Sequence, residues 1–335
     1  MSIPIWNAIS GQTTYWISND PSDAEIVQFS NLQTAIDSAE VGDTLLVYPT
    51  GFSYGNNITI DKSLTIEGMG YQFNNFLQPA LNIQTANYNA TIGTLHIPGV
   101  ENVTIKGLYM GNLIISNALN INIKGSYIQS GYIENSENAA ILNCFIGVGY
   151  NGAPNVGQVN IYSLNTDGII VSNCLFSHYH SNNTYHNLFI DPDCGNAIVK
   201  NCIFNDDVYI NNTDFNNNIH FLGNIVHTNC EITNNVSTNT YNGSPPGNLY
   251  NVPTASIFVG LPTQGSYSFD NKYQLLPNSP ARDYGINGVD CGVFDGDFPY
   301  RLSGITSRPI VSELVAPTST YNDEMEITVR VKIID

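Results

Sequence analysis

The sequence predicts an all-β fold, a solenoid of short stacked coils, and three observations carry that prediction. Three hexapeptides are near copies: Ile141-Leu142-Asn143-Cys144-Phe145-Ile146, Val171-Ser172-Asn173-Cys174-Leu175-Phe176 and Val199-Lys200-Asn201-Cys202-Ile203-Phe204. The same frame extends outward to Ile105–Met110, Ile123–Ile128 and Phe221–Val226, always with Asn or Gly in the third place. Asn and Gly tolerate a left-handed backbone, so each hexapeptide reads as strand, one-residue corner, strand. Successive corners fall 18, 18, 30, 28 and 22 residues apart, the variable period of coils that stack while their loops change length.

The chain opens on a cap. Asn31 to Glu40 places Leu32, Ala35, Ile36 and Ala39 on one helical face, with Ser30 or Asn31 as N-cap. Val41-Gly42-Asp43-Thr44 stops that helix, and Leu45-Leu46-Val47-Tyr48 begins the first strand. Asn57-Ile58-Thr59-Ile60 and Lys62-Ser63-Leu64-Thr65-Ile66-Glu67-Gly68 follow. A helix over the open end of a stack shields an unpaired sheet edge.

This order of helix, Gly42-Asp43-Thr44-Leu45-Leu46-Val47 and the strands to Gly68 resembles the start of right-handed parallel β-helix proteins of the pectate-lyase-like superfamily, of the phage tailspike or bacterial surface type. The resemblance implies an N-terminal segment and capping helix over 1–44, a right-handed parallel β-helix over 45–236, and an irregular, β-rich closing segment over 237–335. It implies a fold and no single activity, because the superfamily includes lyases, hydrolases, tailspikes and inert adhesins.

Each coil divides into three strands, one before the corner, one after it, and a third side. The third side reads Asn112–Ile115, Gly131–Glu134, Val159–Tyr162, Asn187–Ile190 and Val208–Ile210. Two insertions, Gly147 to Gly157 and Ser177 to His186, enter at the same corner of adjacent coils and are placed to overhang that side. After Asn235 the repeat dissolves. Tyr273 to Gly285 and Asp290 to Gly296 resemble the closing segment of bacterial surface β-helices, and Glu324 to Asp335 alternates as a half-buried strand.

Composition excludes some partners. Ten Lys+Arg against 28 Asp+Glu give a net charge of −18, which argues against nucleic acid and anionic membrane surfaces. Nothing approaches a continuous apolar span, so membrane insertion is not expected. Met1 to Ile9 lacks the basic n-region of a signal peptide. With a surface rich in Asn, Thr, Ser and Tyr, the expectation is an extracellular, virion or cell-surface location. Cys144, Cys174 and Cys202 share one coil position with Leu108 and Ser126, so they are expected to pack as small core residues rather than as disulfides. Cys194, Cys230 and Cys291 form no CxxC, so no zinc site is expected.

Catalytic candidates are few. Asn165-Thr166-Asp167-Gly168 resembles a motif of polygalacturonase-type glycoside hydrolases, and Asp206-Asp207 imitates that family's carboxylate pair. The family's Gly-His-Gly is missing, and no Arg precedes Arg282. Asp167 precedes the corner strand whereas Asp206 and Asp207 precede the third side, roughly 15 Å away at about 3.3 Å per strand residue. That is beyond the reach of two-carboxylate hydrolysis. Asp167 therefore reads as a polar turn residue, with a polysaccharide lyase or glycoside hydrolase as the alternative to a non-catalytic protein. His178, His180 and His186 are the weak metal candidates, and no cofactor is expected.

The third side carries the stronger pattern. With Ile115, Ile133, Ile161, Ile190 and Ile210 inward, Tyr132, Glu134, Asn160, Tyr162, Phe189 and Tyr209 point outward. Tyr179 and Tyr185 lie in or beside the neighbouring loop. Such a stripe suits a polysaccharide, a protein partner or a second copy of the chain, unless the loops or the closing segment cover it. The reading is a non-catalytic structural or adhesive protein.

Overall fold

The computed structural model describes residues 11–71, 89–147, 158–177, 185–260, 271–304, 310–315 and 328–332. It is mostly β, and its two large sheets are parallel. One has ten strands, running from Thr14–Ile17 through Thr44–Val47, Thr65–Glu67, Thr104–Lys106, Leu119–Lys124, Glu137–Leu142, Ile170–Ser172, Ala197–Lys200 and Thr213–Asn216 to Glu231–Thr233. The other has thirteen. From Thr44–Val47 to Glu137–Leu142 the chain alternates between them, and from there to Thr213–Asn216 each strand of the ten-stranded sheet is followed by two of the other, so each sheet supplies the other's crossovers.

The N-terminal helix is Leu32–Ser38, and Asn31 caps it: its Oδ1 accepts from Thr34 N at 2.9 Å. Leu32, Ala35 and Ile36 are buried. The first strand is not Leu45–Tyr48. Thr14–Ile17 precedes the helix and pairs in register with Thr44–Val47. Ile17 is buried and Trp16 stays exposed, so a single inward residue left little pattern to read.

The third side begins as a continuation of the strand after the corner. Thr91–Pro98, Tyr109–Ser116 and Tyr127–Glu134 are unbroken eight-residue strands. The thirteen-stranded sheet then forks. Tyr127 pairs with Phe145, while Tyr132, further along the same strand, pairs with Tyr162. One branch runs Phe145–Ile146, Leu175–Phe176, Ile203–Phe204, Ile219–His220, Val236–Ser237; the other runs Gln158–Leu164, Tyr185–Ile190, Asp207–Asn211, Ile225–Thr228.

The corners are left-handed as expected at Gly107, Gly125, Asn143, Asn173 and Asn201, with φ of 62°, 51°, 43°, 54° and 50°. The sixth is not Gly223. Ile203 pairs with Ile219 and Phe204 with His220, which makes Asn217 the counterpart of Asn201, 16 residues on. Gly223 instead lies against the Asp206–Asp207 backbone, between the two branches. The expected frame differs because His220 fills a position that is apolar at Ile128, Ile146, Phe176 and Phe204, and Asn218 one held by cysteine at the three preceding corners.

Leu108, Ser126, Cys144, Cys174, Cys202, Asn218 and Asn235 follow successive corners, and all are 0 % exposed. The six cysteines are free thiols. This column does more than fill space, because the N–H after a left-handed corner points inward and needs an acceptor. Ser126 Oγ accepts from Leu108 N at 3.2 Å and Cys202 Sγ from Cys174 N at 3.5 Å. Asn218 and Asn235 Oδ1 then accept from Cys202 N and Asn218 N at 2.8 and 2.9 Å.

A second core forms outside the stack. Ile257, Phe258, Tyr273, Leu275, Ala281, Cys291, Val293 and Tyr300 pack onto Tyr127, Phe145, Leu175, Ile203, Ile219 and Val236. The strand expected near the C-terminus forms at Thr328–Lys332. It pairs antiparallel with Ile310–Val315 and joins neither large sheet.

Candidate functional site

One residue from each third-side strand falls in a single register column. Ile114 pairs with Tyr132, Tyr132 with Tyr162, Tyr162 with Phe189, and Phe189 with Tyr209. Period-two alternation buries the neighbours Ile133, Leu188, Ile190, Val208 and Ile210 and sends this column outward. Ring centroids are 5.5 Å apart for Tyr132–Tyr162, 5.2 Å for Tyr162–Phe189 and 5.7 Å for Phe189–Tyr209. The first and last pairs are stacked, so these rings turn faces toward one another along the column. Tyr162, in the middle, is buried, while Tyr132, Phe189 and Tyr209 are half-buried.

The hydroxyl tips meet carboxylates. Tyr132 Oη donates to Glu134 Oε2 at 3.0 Å, and Tyr162 Oη to Asp191 Oδ2 at 3.5 Å. Burial, reinforced by the Glu134 acceptor, pushes the Tyr132 hydroxyl up to about 12. Burial and the Asp191 charge also raise Tyr162, and burial with Asp207 raises Tyr209, so all three stay protonated donors at neutral pH. At the far end the His186 ring lies 4.3 Å from that of Tyr209, and its Nδ1 is 3.9 Å from Asp207 Oδ2. Burial lowers the His186 pKa against the pull of Asp207. Asp207 Oδ1 accepts from Asn224 N at 2.7 Å.

Asn160, expected outward, is buried at the fork instead. Asn187 Nδ2 donates to its Oδ1 at 3.1 Å, and Asn187 Oδ1 accepts from Asn205 N and Asp206 N at 2.9 and 2.8 Å. Where the two branches part, ladder bonding is lost, and this asparagine pair replaces it.

The carboxylates of the hydrolase-like motif lie on different sheets. Asp167 is exposed, bridges Glu137 and Gly195 beside the ten-stranded sheet, and accepts from Asn196 Nδ2 at 2.9 Å. Asp206 and Asp207 stand at the fork of the other sheet, where Asp206 Oδ1 accepts from Asp207 N at 2.8 Å. Among the metal candidates, His178 and His180 lie outside the described residues, as does Tyr179. His186 belongs to the ladder, and Tyr185 opens its strand opposite Gln158. Among the described residues no group of three or more His, Cys, Asp or Glu side chains converges as a metal set would.

His220 is a feature the sequence reading missed. It sits 0 % exposed in the interior column after Phe176 and Phe204, with Nε2 3.1 Å from the Asp206 carbonyl and Nδ1 without a partner. Reading the sixth corner at Asn217 aligns His220 with Phe204 and reveals it.

No family model matches this chain, and no curated protein matches it. Among solved structures it is similar to ORF18 of Geobacillus virus E2, at 14% identity and TM-score 0.35, over 65% of this chain and 57% of that one. It is also similar to an alginate lyase from Paenibacillus sp. str. FPU-7, at 14% identity and TM-score 0.36, over 72% and 98% of the two chains. A third is the pectin methylesterase from Aspergillus niger in deglycosylated form, at 12% identity and TM-score 0.30, over 79% and 94%. Likeness at this distance carries no argument about what this chain does.

Proposed function

We propose that the stacked strands wind as one right-handed parallel β-helix, a non-catalytic structural or adhesive module of a virion, an extracellular assembly or a cell surface. In this reading it contacts a glycan or protein partner through the Tyr132–Tyr162–Phe189–Tyr209 ladder. One observation carries the proposal. The fold builds two parallel aromatic columns, and among the described residues the second core, with Tyr71 and the C-terminal segment, covers one of them and not the other. Tyr109, Tyr127 and Phe145 stack at 4.3 and 5.3 Å, and Tyr127 and Phe145 are buried against Tyr71, whose hydroxyl meets that of Tyr300 in the second core. The ladder takes no part in that second core and ends in hydroxyl and carboxylate groups.

The test is Tyr132→Ala with Tyr209→Ala, at two half-buried rungs, screened against immobilised polysaccharides and candidate partner proteins. A tyrosine that acts as an interface hot spot costs about 2 kcal/mol or more when truncated. The double variant should keep its circular dichroism and lose binding at least tenfold, and unchanged binding would exclude the ladder.

The His186–Asp207 pair beside Tyr209 favours a second reading, a carbohydrate-active enzyme of the pectin-lyase-like group. At 3.9 Å the pair is beyond direct hydrogen-bond reach, so a proton would pass between the two only through a water or after they draw together on binding substrate. Turnover of any polysaccharide that vanishes in Asp207→Asn would establish it, and absence of turnover across a broad panel would remove it.

A further inference from the structure

The ladder lies on a sheet with no cation to offer. Among the described residues, none of the strands Thr91–Pro98, Tyr109–Ser116, Tyr127–Glu134, Gln158–Leu164, Tyr185–Ile190, Asp207–Asn211 and Ile225–Thr228 contains Lys or Arg. The lysines of the repeats lie elsewhere. Lys106, Lys124 and Lys200 are on the ten-stranded sheet, and Lys62 donates to the carbonyls of Asp37 and Ala39 at the end of the capping helix.

What the ladder presents is acceptors. Glu134, Asp191 and Asp207 stand along its length, one beside each tyrosine, and an ionised carboxylate is acceptor-only with room for several donors. Two of the three already hold a tyrosine hydroxyl, which fixes the carboxylate and leaves further lone pairs open. A ligand that complements such a row must bring donors, either hydroxyls or ammonium groups. A ligand with a carboxylate on every sugar brings acceptors and like charge. Like charges in contact repel, and more strongly beside a protein surface than in open water. The chain's charge of −18 adds to that repulsion.

We infer that the ladder selects a polysaccharide free of carboxylate and sulfate, with neutral hexoses or amino sugars as its units, and rejects polyuronates. The inference rests on the ladder being the binding surface. Stacked ring faces are turned toward each other, so recognition runs through hydroxyl and carboxylate tips rather than through sugar-on-ring stacking.

Calorimetric titration of the full chain with cello-oligosaccharide, chitosan oligosaccharide and oligogalacturonate, each at low and high salt, tests it. Binding of the neutral or the amino-sugar probe, at least tenfold tighter than oligogalacturonate at low salt, is the expected result. The amino-sugar affinity should weaken with salt. Glu134→Gln with Asp191→Asn keeps an oxygen acceptor for each tyrosine and should narrow the gap to oligogalacturonate several-fold. Oligogalacturonate binding as tight as the others, lost in the Tyr132→Ala and Tyr209→Ala double variant, overturns charge selection and leaves the ladder standing. Binding that survives the double variant, or no binding by any probe, overturns both.

Discussion

The side-chain amide of Asn173 donates to the carbonyl oxygens of Val293 and Asp295, at 3.0 and 2.6 Å, while its backbone turns the corner between two strands at φ 54°. Its neighbours do the same. Asn143 reaches Pro299 O, Asn201 reaches Asp290 O and Gly292 O, and Asn234 reaches Tyr284 O. Asn217 Oδ1 accepts from Ile286 N. A corner needs a residue that tolerates positive φ, and both Gly and Asn do. Asn is found where the closing segment runs overhead. At Gly125 the closing backbone also passes, but there it is Gly304 that has no room for a side chain, since a Cβ on it would run into the Gly125 carbonyl and the Tyr71 ring.

Replacement at Asn173 separates these two roles. Asn173→Gly keeps the backbone and strips two carbonyls of their donor, so it should destabilise the protein by about 1–3 kcal/mol. Asn173→Ala adds the left-handed penalty, about 1–2 kcal/mol more. Urea unfolding measures both, and proteolysis within residues 284–304 should quicken in each. A neutral Asn173→Gly would show that the amide contributes nothing beyond its conformation.

His220 should make stability depend on acid. Burial lowers its pKa from 6.5 to about 4, only partly offset by the Asp206 carbonyl and the Asp207 charge. Between those two values the unfolded chain binds a proton that the folded chain does not. The contribution is therefore complete above pH 6.5 and lost as pH falls toward 4, about 3 kcal/mol in all. His220→Phe extends the Phe176–Phe204 column and removes that proton. Its stability should fall less across the window than that of the parent, whose carboxylates it shares. Parallel curves would mean that the imidazole titrates as if in water.

The fold is legible in the sequence where the interior is apolar and not where it is polar. Asn143, Asn173 and Asn201 are flanked by inward Val, Ile and Phe, so the frame, and with it the Tyr132–Tyr162–Phe189–Tyr209 register, could be read directly. Past Asn205 the same interior positions hold Asn218, His220 and Ser237, all 0 % exposed, and hydrophobic pattern no longer marks the strand. Asn160 failed for another reason. Alternation places it outward, but the fork beside it was invisible without strand pairing. The sequence pattern pointed to one aromatic column, and the second, at Tyr109, Tyr127 and Phe145, emerged only from the strand pairing. Its cover depends on distant residues such as Tyr71 and Tyr300, which have no period to read.

Asn187 should be among the costliest single positions in the fork. Its Oδ1 holds two backbone N–H groups, those of Asn205 and Asp206, and its Nδ2 holds Asn160. Asn187→Ala leaves both N–H groups buried without that acceptor, at about 1–3 kcal/mol each. Loss of about 3 kcal/mol or more in chemical denaturation is expected, with hydrogen exchange at Asn205 and Asp206 accelerated more than at Val199 or Val171 in the neighbouring sheet. Uniform acceleration across both sheets would assign the loss to global destabilisation instead of the fork.

Cys202 offers a prediction opposite in sign to simple apolar burial. Its thiol is 0 % exposed inside the stack, where a small apolar residue would ordinarily be tolerated better than a hydroxyl. Yet Cys202 Sγ accepts the N–H of Cys174 at 3.5 Å and lies 3.2 Å from Lys200 O, the arrangement that Ser126 makes with Leu108 N and Lys124 O at 3.2 and 3.0 Å. Cys202→Ser should therefore retain both bonds and cost about 1 kcal/mol or less. Cys202→Ala leaves the Cys174 N–H without an acceptor and should cost about 1–3 kcal/mol. Thermal and urea unfolding of the two variants decide the order. Alanine the more stable of the pair would reduce the post-corner column to packing alone.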